Sequence, residues 1–188
     1  TREAYGNALA RIGKENTNII VLDADLSKST KTDTFKAVCP ERFFNVGIAE
    51  QNLISVGAGL AAAGKIPFVS SFSMFATGRA FEQIRNAVCY PKLNVKVCAT
   101  HAGITVGEDG ATHQSLEDIS CMRTLPNMTV VVPADERETE AVIEWAASYN
   151  GPVYVRLGRA GVDDVTTEGY SFVPGKSTTL VDGSDATI

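Results

Sequence analysis

The sequence predicts an α/β fold, doubly wound, in which a mostly parallel sheet is covered by helices on both faces. Two features carry that expectation. Short apolar runs rich in Val and Ile alternate with longer segments of helical periodicity, as buried parallel strands joined by helical crossovers require. Polar residues follow these runs directly, at the strand ends where an open sheet of this kind gathers ligands. The chain's 188 residues match one domain with a sizeable core, and 44% hydrophobic against 21% charged residues excludes disorder.

Ala4, Ala8 and Ile12 recur at helical spacing between Thr1 and Glu15, and the run Ile19-Ile20-Val21-Leu22 then reads as a buried strand. The alternation continues with a strand at Phe43 to Val46 and a helix from Ala49 to Ala63. Ile66 to Val69 leads into a helix over Ala76 to Val88. A strand at Asn94 to Ala99 precedes a long loop and a helix near Leu116 to Thr124. Thr129 to Val132, a helix from Glu136 to Ala147 and a strand at Val153 to Val155 complete the series. Residues 1–162 are thus expected to form one domain. Residues 163–188, rich in Thr, Gly and Asp as far as Ser184, read as a linker and the start of a missing C-terminal domain, with a strand beginning at Asp185 to Ile188.

Composition removes several function classes. A net charge of −5 without a Lys/Arg run lacks the clustered basic footprint that phosphate backbones demand, so no nucleic-acid partner is expected. No apolar run approaches the ~18 residues of a membrane span, and Thr1 opens into helix-like sequence without a signal segment. A cytoplasmic protein is expected, with no membrane partner. Cys39, Cys89, Cys98 and Cys121 form no C-x-x-C pair and read as reduced structural thiols.

The chemistry is sought where strands end. Leu22 runs into Asp23-Ala24-Asp25, Asn45 into Gly47 and Glu50, Val69 into Ser70-Ser71-Phe72, and Ala99 into Thr100-His101. Both histidines, His101 and His113, fall in the single long loop, together with three glycines that allow close backbone approach to a ligand. A loop this long inside a compact domain is more often functional than not. His101, Glu108, Asp109 and His113 are all available metal ligands, but their spacing fits no compact motif, and no metal is assigned to this chain. No Gly-Asp-Gly for a pyrophosphate-linked Mg²⁺ occurs, nor a G-x-S-x-G elbow for a serine nucleophile. Glu50 opens an otherwise apolar, small-residue helix, where the helix dipole and free N–H groups favour a carboxylate. A first-turn Glu usually only caps. At the edge of a buried interface, however, desolvation raises a carboxylate's pKa and suits it to hydrogen-bond a weakly basic ring nitrogen. Phe72 and Phe75 are core aromatics by default, or alternatively two faces for a planar heterocycle.

Three strings then carry a resemblance: Asp23-Ala24-Asp25-Leu26-Ser27-Lys28-Ser29, Gly47-Ile48-Ala49-Glu50-Gln51-Asn52, and Gly107-Glu108-Asp109-Gly110-Ala111-Thr112-His113-Gln114. In order and spacing they resemble the pyrimidine-binding domain of transketolases, from Arg2 to about Arg159. The resemblance implies the thiamine-diphosphate-binding fold. It implies a cofactor, thiamine diphosphate, shared with a diphosphate-binding domain or subunit that holds Mg²⁺ entirely by itself. Glu50 is then the glutamate that hydrogen-bonds the aminopyrimidine ring and favours its imino tautomer, with His113 as a second catalytic residue. Phe72 and Phe75 lie against the pyrimidine, and Asp25 and Leu26 contribute to cofactor binding, Leu26 from beneath. Asp109 and His113 bond sugar hydroxyls, while Arg2, Ser29, His101 and Arg159 hold the substrate phosphate. Arg159 is preferred to Arg156 from its offset after Gly151-Pro152. The implied activity moves a two-carbon ketol unit from a ketose phosphate to an aldose phosphate. Without its partner, the chain is expected to be inactive. A homodimer of pyrimidine domains or a heterotetramer is implied, with dimerisation through the small-residue helix.

Three positions depart from the common family pattern. Gly78 stands where many members carry a third pocket aromatic, and Ala111 replaces a frequent Pro. Gly-Ile-Ala-Glu-Gln is the form of two-polypeptide transketolases, which favours a split enzyme. The competing readings are a deoxyxylulose-phosphate synthase, a 2-oxoacid dehydrogenase β-type domain, and a non-catalytic assembly module of the same fold. The His101 to His113 loop resembles transketolase more than the first two, and intact Glu50, Asp109 and His113 count against the third.

Overall fold

The computed structural model describes residues 1–186. They form a six-stranded sheet in the order β2-β1-β3-β4-β6-β5, with every neighbouring pair parallel. The strands are β1 (Ile19–Asp23), β2 (Phe43–Asn45), β3 (Ile66–Phe72), β4 (Lys96–Thr100), β5 (Thr129–Val131) and β6 (Val153–Arg156). Side chains alternate across the sheet with period two, so β1 feeds two cores at once. Ile19 and Val21 pack with Tyr5, Leu9, Phe35 and Ile143 beneath α1 (Arg2–Glu15), α3 (Asp33–Val38) and α7 (Glu136–Ser148). Ile20 and Leu22 pack on the other face with Leu53, Ile54, Ile84 and Met122, beneath α4 (Glu50–Ala62) and α6 (Asp118–Arg123). Each fully buried Leu or Ile contributes about 1.5–3 kcal/mol, so these two layers carry the fold. The doubly wound arrangement is the one expected.

From β1 the chain steps outward to β2 and returns past β1 to β3, which makes the β1/β3 boundary a topological switch point. Helix α4 sits close over β3 because Gly57 lacks a side chain: a Cβ there would lie 2.7 Å from Val69 Cγ1. That close seat fixes the helix start, and with it Glu50, over the carboxyl ends of the strands.

The single helix expected over Ala76 to Val88 is not present. Instead a π-helical turn at Phe75–Arg79 and a second at Ile84–Cys89 flank a short α5 (Phe81–Gln83). The physical reason is local. Thr77 Oγ1 donates to the Ser73 carbonyl at 2.8 Å, competing with the backbone, and Gly78 is a poor helix former. Other boundaries shift modestly: β3 runs on to Phe72, and the helix expected near Leu116 begins at Asp118. A short α2 (Ser27–Thr30) and α3, unforeseen in the apolar pattern, fill the connection after β1.

From Val165 to Phe172 the chain stays on the domain. Asp135, the N-cap of α7, accepts from the N–H groups of Val165 and Thr166 at 2.9 and 2.7 Å, and Tyr170 donates to Glu138 at 2.7 Å. Phe172 sets its ring edge against Trp145, centroids 5.4 Å apart. The strand expected from Asp185 ends on residues 187 and 188, outside the described residues. All four cysteines are free. No helix of the described residues is long and apolar enough to cross a membrane.

Candidate cofactor and substrate site

The site is built from the carboxyl ends of β1, β3 and β4 and the start of α4. At β1, buried Asp23 accepts from the Leu26 N–H at 2.5 Å, Thr30 Oγ1 at 2.7 Å and Thr32 Oγ1 at 3.0 Å. Burial nevertheless pushes its carboxyl above the usual range. This Asp turns the chain so that half-buried Leu26 and Ser29 sit at the strand end. Arg2 donates to the Ser29 carbonyl at 3.0 Å, which brings those two phosphate candidates together. Asp25 is exposed and accepts from Asn45 at 2.8 Å; neither it nor Leu26 touches the aromatic cluster through any ring or hydrogen-bond contact among the described residues.

Strand β3 ends in Phe72, and the π turn after it presents Phe75. Phe72 stacks on the imidazole of His101, centroids 3.8 Å apart at 24°, and lies 6.0 Å from Phe75. His113 sets its edge on Phe75 at 5.1 Å and on Phe72 at 6.2 Å. Four rings distant in sequence thus form one cluster. Glu50 adjoins it, only 4% exposed at the first turn of α4. Its two oxygens accept from Nη1 of Arg79 at 3.2 and 3.4 Å, and the Arg79 guanidinium carbon lies over the Phe75 ring, 4.3 Å from its centroid.

The loop after β4 closes on itself. Ala102 pairs with Ser115, the Gly103 N–H donates to the Ser115 carbonyl at 2.9 Å, and Gln114 reaches the Ile104 carbonyl at 3.0 Å. His101 enters the loop in the left-handed region, φ 60°, which for a non-glycine residue stores strain on the order of 1–3 kcal/mol. Its Nδ1 bonds Thr100 Oγ1 at 2.9 Å. Burial first, then the nearby charges of Arg2 and Arg159, lower its pKa to about 4, with Asp109 opposing. His101 is therefore a neutral imidazole near pH 7, able to offer a hydrogen bond but no charge. The same cause places Arg2, Asp109, Arg159 and His113 all within electrostatic reach of His101. Asp109 itself is exposed, and His113 is half-buried with Nδ1 2.9 Å from Thr112 Oγ1. Arg159 reaches across to Glu108 Oε1 at 2.8 Å, passing so near Gly107 that a Cβ there would lie 2.5 Å from Nη1.

Sequence reasoning missed three contributors. Arg79 stands one position past Gly78, where a third aromatic was sought, and its charge was the available signal. Glu108 occupies the Arg159 guanidinium. Asp118, fully buried, accepts through Oδ2 from Tyr154 and Arg156 at 2.7 Å and Ser73 at 3.1 Å. Arg156, passed over for phosphate, spends its Nε on that clamp, and its appearance in an otherwise apolar strand was the signal. Asp118 ties the end of the loop to Ser73, between Phe72 and Phe75. Among the described residues no group of three or more His, Cys, Asp or Glu is arranged to hold a metal.

Comparison with known proteins bears on this geometry. The family "Transketolase, pyrimidine binding domain" matches residues 1–163. A transketolase C-terminal section from Methanocaldococcus jannaschii is 58% identical over 189 residues, covering 100% of this chain and 60% of the relative. The 6-deoxy-6-sulfo-D-fructose transketolase subunit SqwH of a Clostridium species is 41% identical over 187 residues, covering 100% of this chain and 58% of its own length. Among solved structures, a split-gene transketolase described as an inactive β4 tetramer aligns with a TM-score of 0.88 and 60% identity, over 97% of this chain and 58% of that one. The chain thus spans about 60% of the length of the curated relatives it matches. A match over nearly the whole chain, on a sheet of this topology, means that the protein belongs to the transketolase pyrimidine-binding domain family.

Proposed function

We propose that this chain is the pyrimidine-binding half of a thiamine-diphosphate-dependent transketolase, active only when joined to a diphosphate-binding domain or subunit that holds Mg²⁺. The observation that carries the reading is buried Glu50 joined through Arg79 to the half-buried ring of Phe75. Its residues fit an aminopyrimidine ring, because a planar nitrogen-bearing group, the Arg79 guanidinium, already lies between the Glu50 carboxyl and the Phe75 ring. When bound, the cofactor supplies the carbon nucleophile that carries a two-carbon ketol unit.

The chain's own residues do the rest. Glu50, at the first turn of α4, hydrogen-bonds the ring nitrogen, its carboxyl donating to the aminopyrimidine form and its carboxylate accepting from the imino form. Phe72 and Phe75 offer faces to the ring and exclude water from Glu50, with Leu26 below and Asp25 at the rim. His113, packed against Phe75, would join Asp109 in bonding sugar hydroxyls. Arg159, Arg2 and Ser29 hold the terminal anion of the sugar, and neutral His101 adds a hydrogen bond. A sulfo-sugar relative supports a pocket that reads a terminal anionic group. The inactive β4 tetramer of the split-gene relative supports a chain that needs its partner, in an assembly built on pyrimidine-domain pairs or as a heterotetramer.

The test mixes this chain with a diphosphate-binding subunit, thiamine diphosphate and Mg²⁺, and follows transfer from xylulose 5-phosphate to ribose 5-phosphate. Glu50→Gln is expected to abolish transfer while leaving the assembled complex intact by sedimentation. Normal transfer in that variant removes the assignment.

A further inference from the structure

Arg79 holds a position that the ring reading leaves unexplained. Its guanidinium makes its hydrogen bonds to Glu50 alone among the described residues, and it covers the Phe75 face from 4.3 Å. Arg79 takes both Glu50 oxygens from one nitrogen and covers Phe75, the two groups assigned to the ring, so a bound aminopyrimidine ring competes with this guanidinium. We propose that Arg79 is a displaceable placeholder for that ring, which keeps Glu50 paired in the cofactor-free chain and swings out when the cofactor enters. The inference rests on the reading of Glu50 and Phe75 as the ring site.

Two features of the structure support exchange rather than permanent pairing. The Arg79 bonds are long, 3.2 and 3.4 Å from one nitrogen, where a tight charge-assisted bond such as Arg156 to Asp118 is 2.7 Å. The Arg79 side chain is 55% exposed while that of Glu50 is 5%, so the arm can leave into solvent without unpacking any core group. Leaving Glu50 buried and unpaired is unfavourable, so the arm withdraws only when another hydrogen-bonding group replaces it. Such an arm lowers cofactor affinity by the fraction of time it is closed: closure for about nine-tenths of the time raises the apparent Kd about tenfold.

The experiment titrates thiamine diphosphate with Mg²⁺ into the assembled complex by calorimetry, for the wild type, Arg79→Met, Arg79→Gln and Glu50→Ala, each checked for folding by its thermal melt. Both Arg79 variants are expected to bind roughly three- to tenfold more tightly than wild type, as release of a partly exposed ion pair and its ring contact would give. Unchanged or weaker binding in both overturns the placeholder role. Glu50→Ala separates the two ideas. If it weakens binding while the Arg79 variants fail to tighten it, the ring site stands and the placeholder falls; if it leaves binding unchanged, both fall.

Discussion

The two halves of the site are held by different means. The ring side, Glu50 with Phe72 and Phe75, is mounted on α4 and β3, whose apolar faces are locked into the core. The side proposed for the sugar, from His101 to His113 with Arg159, hangs on a loop whose middle is exposed and whose neck is pinned by hydrogen bonds. Hydrophobic burial therefore preorganises the first, while polar clamps preorganise the second. Each half also holds an internal counter-ion where a ligand is expected: Arg79 on Glu50, and Glu108 on Arg159. The contrast teaches that a buried anchor with an exposed guard is exchangeable, whereas a buried anchor with buried partners is structural, as with Asp118.

The largest effect is expected at the clamp shared by the two halves. Asp118→Ala leaves Arg156 and Tyr154 facing a void, and loss of one member of a buried pair costs about 3–5 kcal/mol, read from urea unfolding. Asp118→Asn, which keeps an acceptor oxygen, should lose less. Equal losses for the two substitutions would mean that packing rather than the network holds the loop neck.

A smaller effect separates the halves by pH. The folded pKa of His101, about 4, lies below the ordinary value of about 6.5. The unfolded chain therefore binds a proton that the native site refuses, and the contribution of His101 to stability, complete above pH 6.5, is lost as pH falls toward 4. The wild type should lose more of its melting temperature between pH 6.5 and 4 than His101→Asn, a substitution that tolerates the left-handed backbone. Parallel profiles would show that His101 titrates normally.

The smallest effect lies at the exposed guard. Glu108→Gln should leave the melting temperature nearly unchanged. With Arg159 released, it should lower the Michaelis constant for sugar phosphates in the assembled enzyme by about two- to fivefold, the range of a surface ion pair. A raised constant would make Glu108 a substrate ligand instead.

The alternation of Val/Ile runs with helical segments was enough to determine the doubly wound sheet, because burial on both faces leaves strands no polar periodicity to disguise them. Glu50, Phe72 and His101 could be named as candidates because each stands at or soon after a strand end, and His113 because it shares the long loop with His101. What sequence could not determine was set by contacts between residues far apart along the chain. Arg79 reaches Glu50 from 29 positions away and Arg156 reaches Asp118 from 38, pairings that no local spacing encodes. The π turn at Phe75 likewise depends on a Thr hydroxyl competing for a carbonyl, and both it and the turn at Ile84 pack against α4. Periodicity records which face of an element is buried; only the folded chain decides which charges then meet, because electrostatic pairing acts through space and leaves no repeat in the sequence.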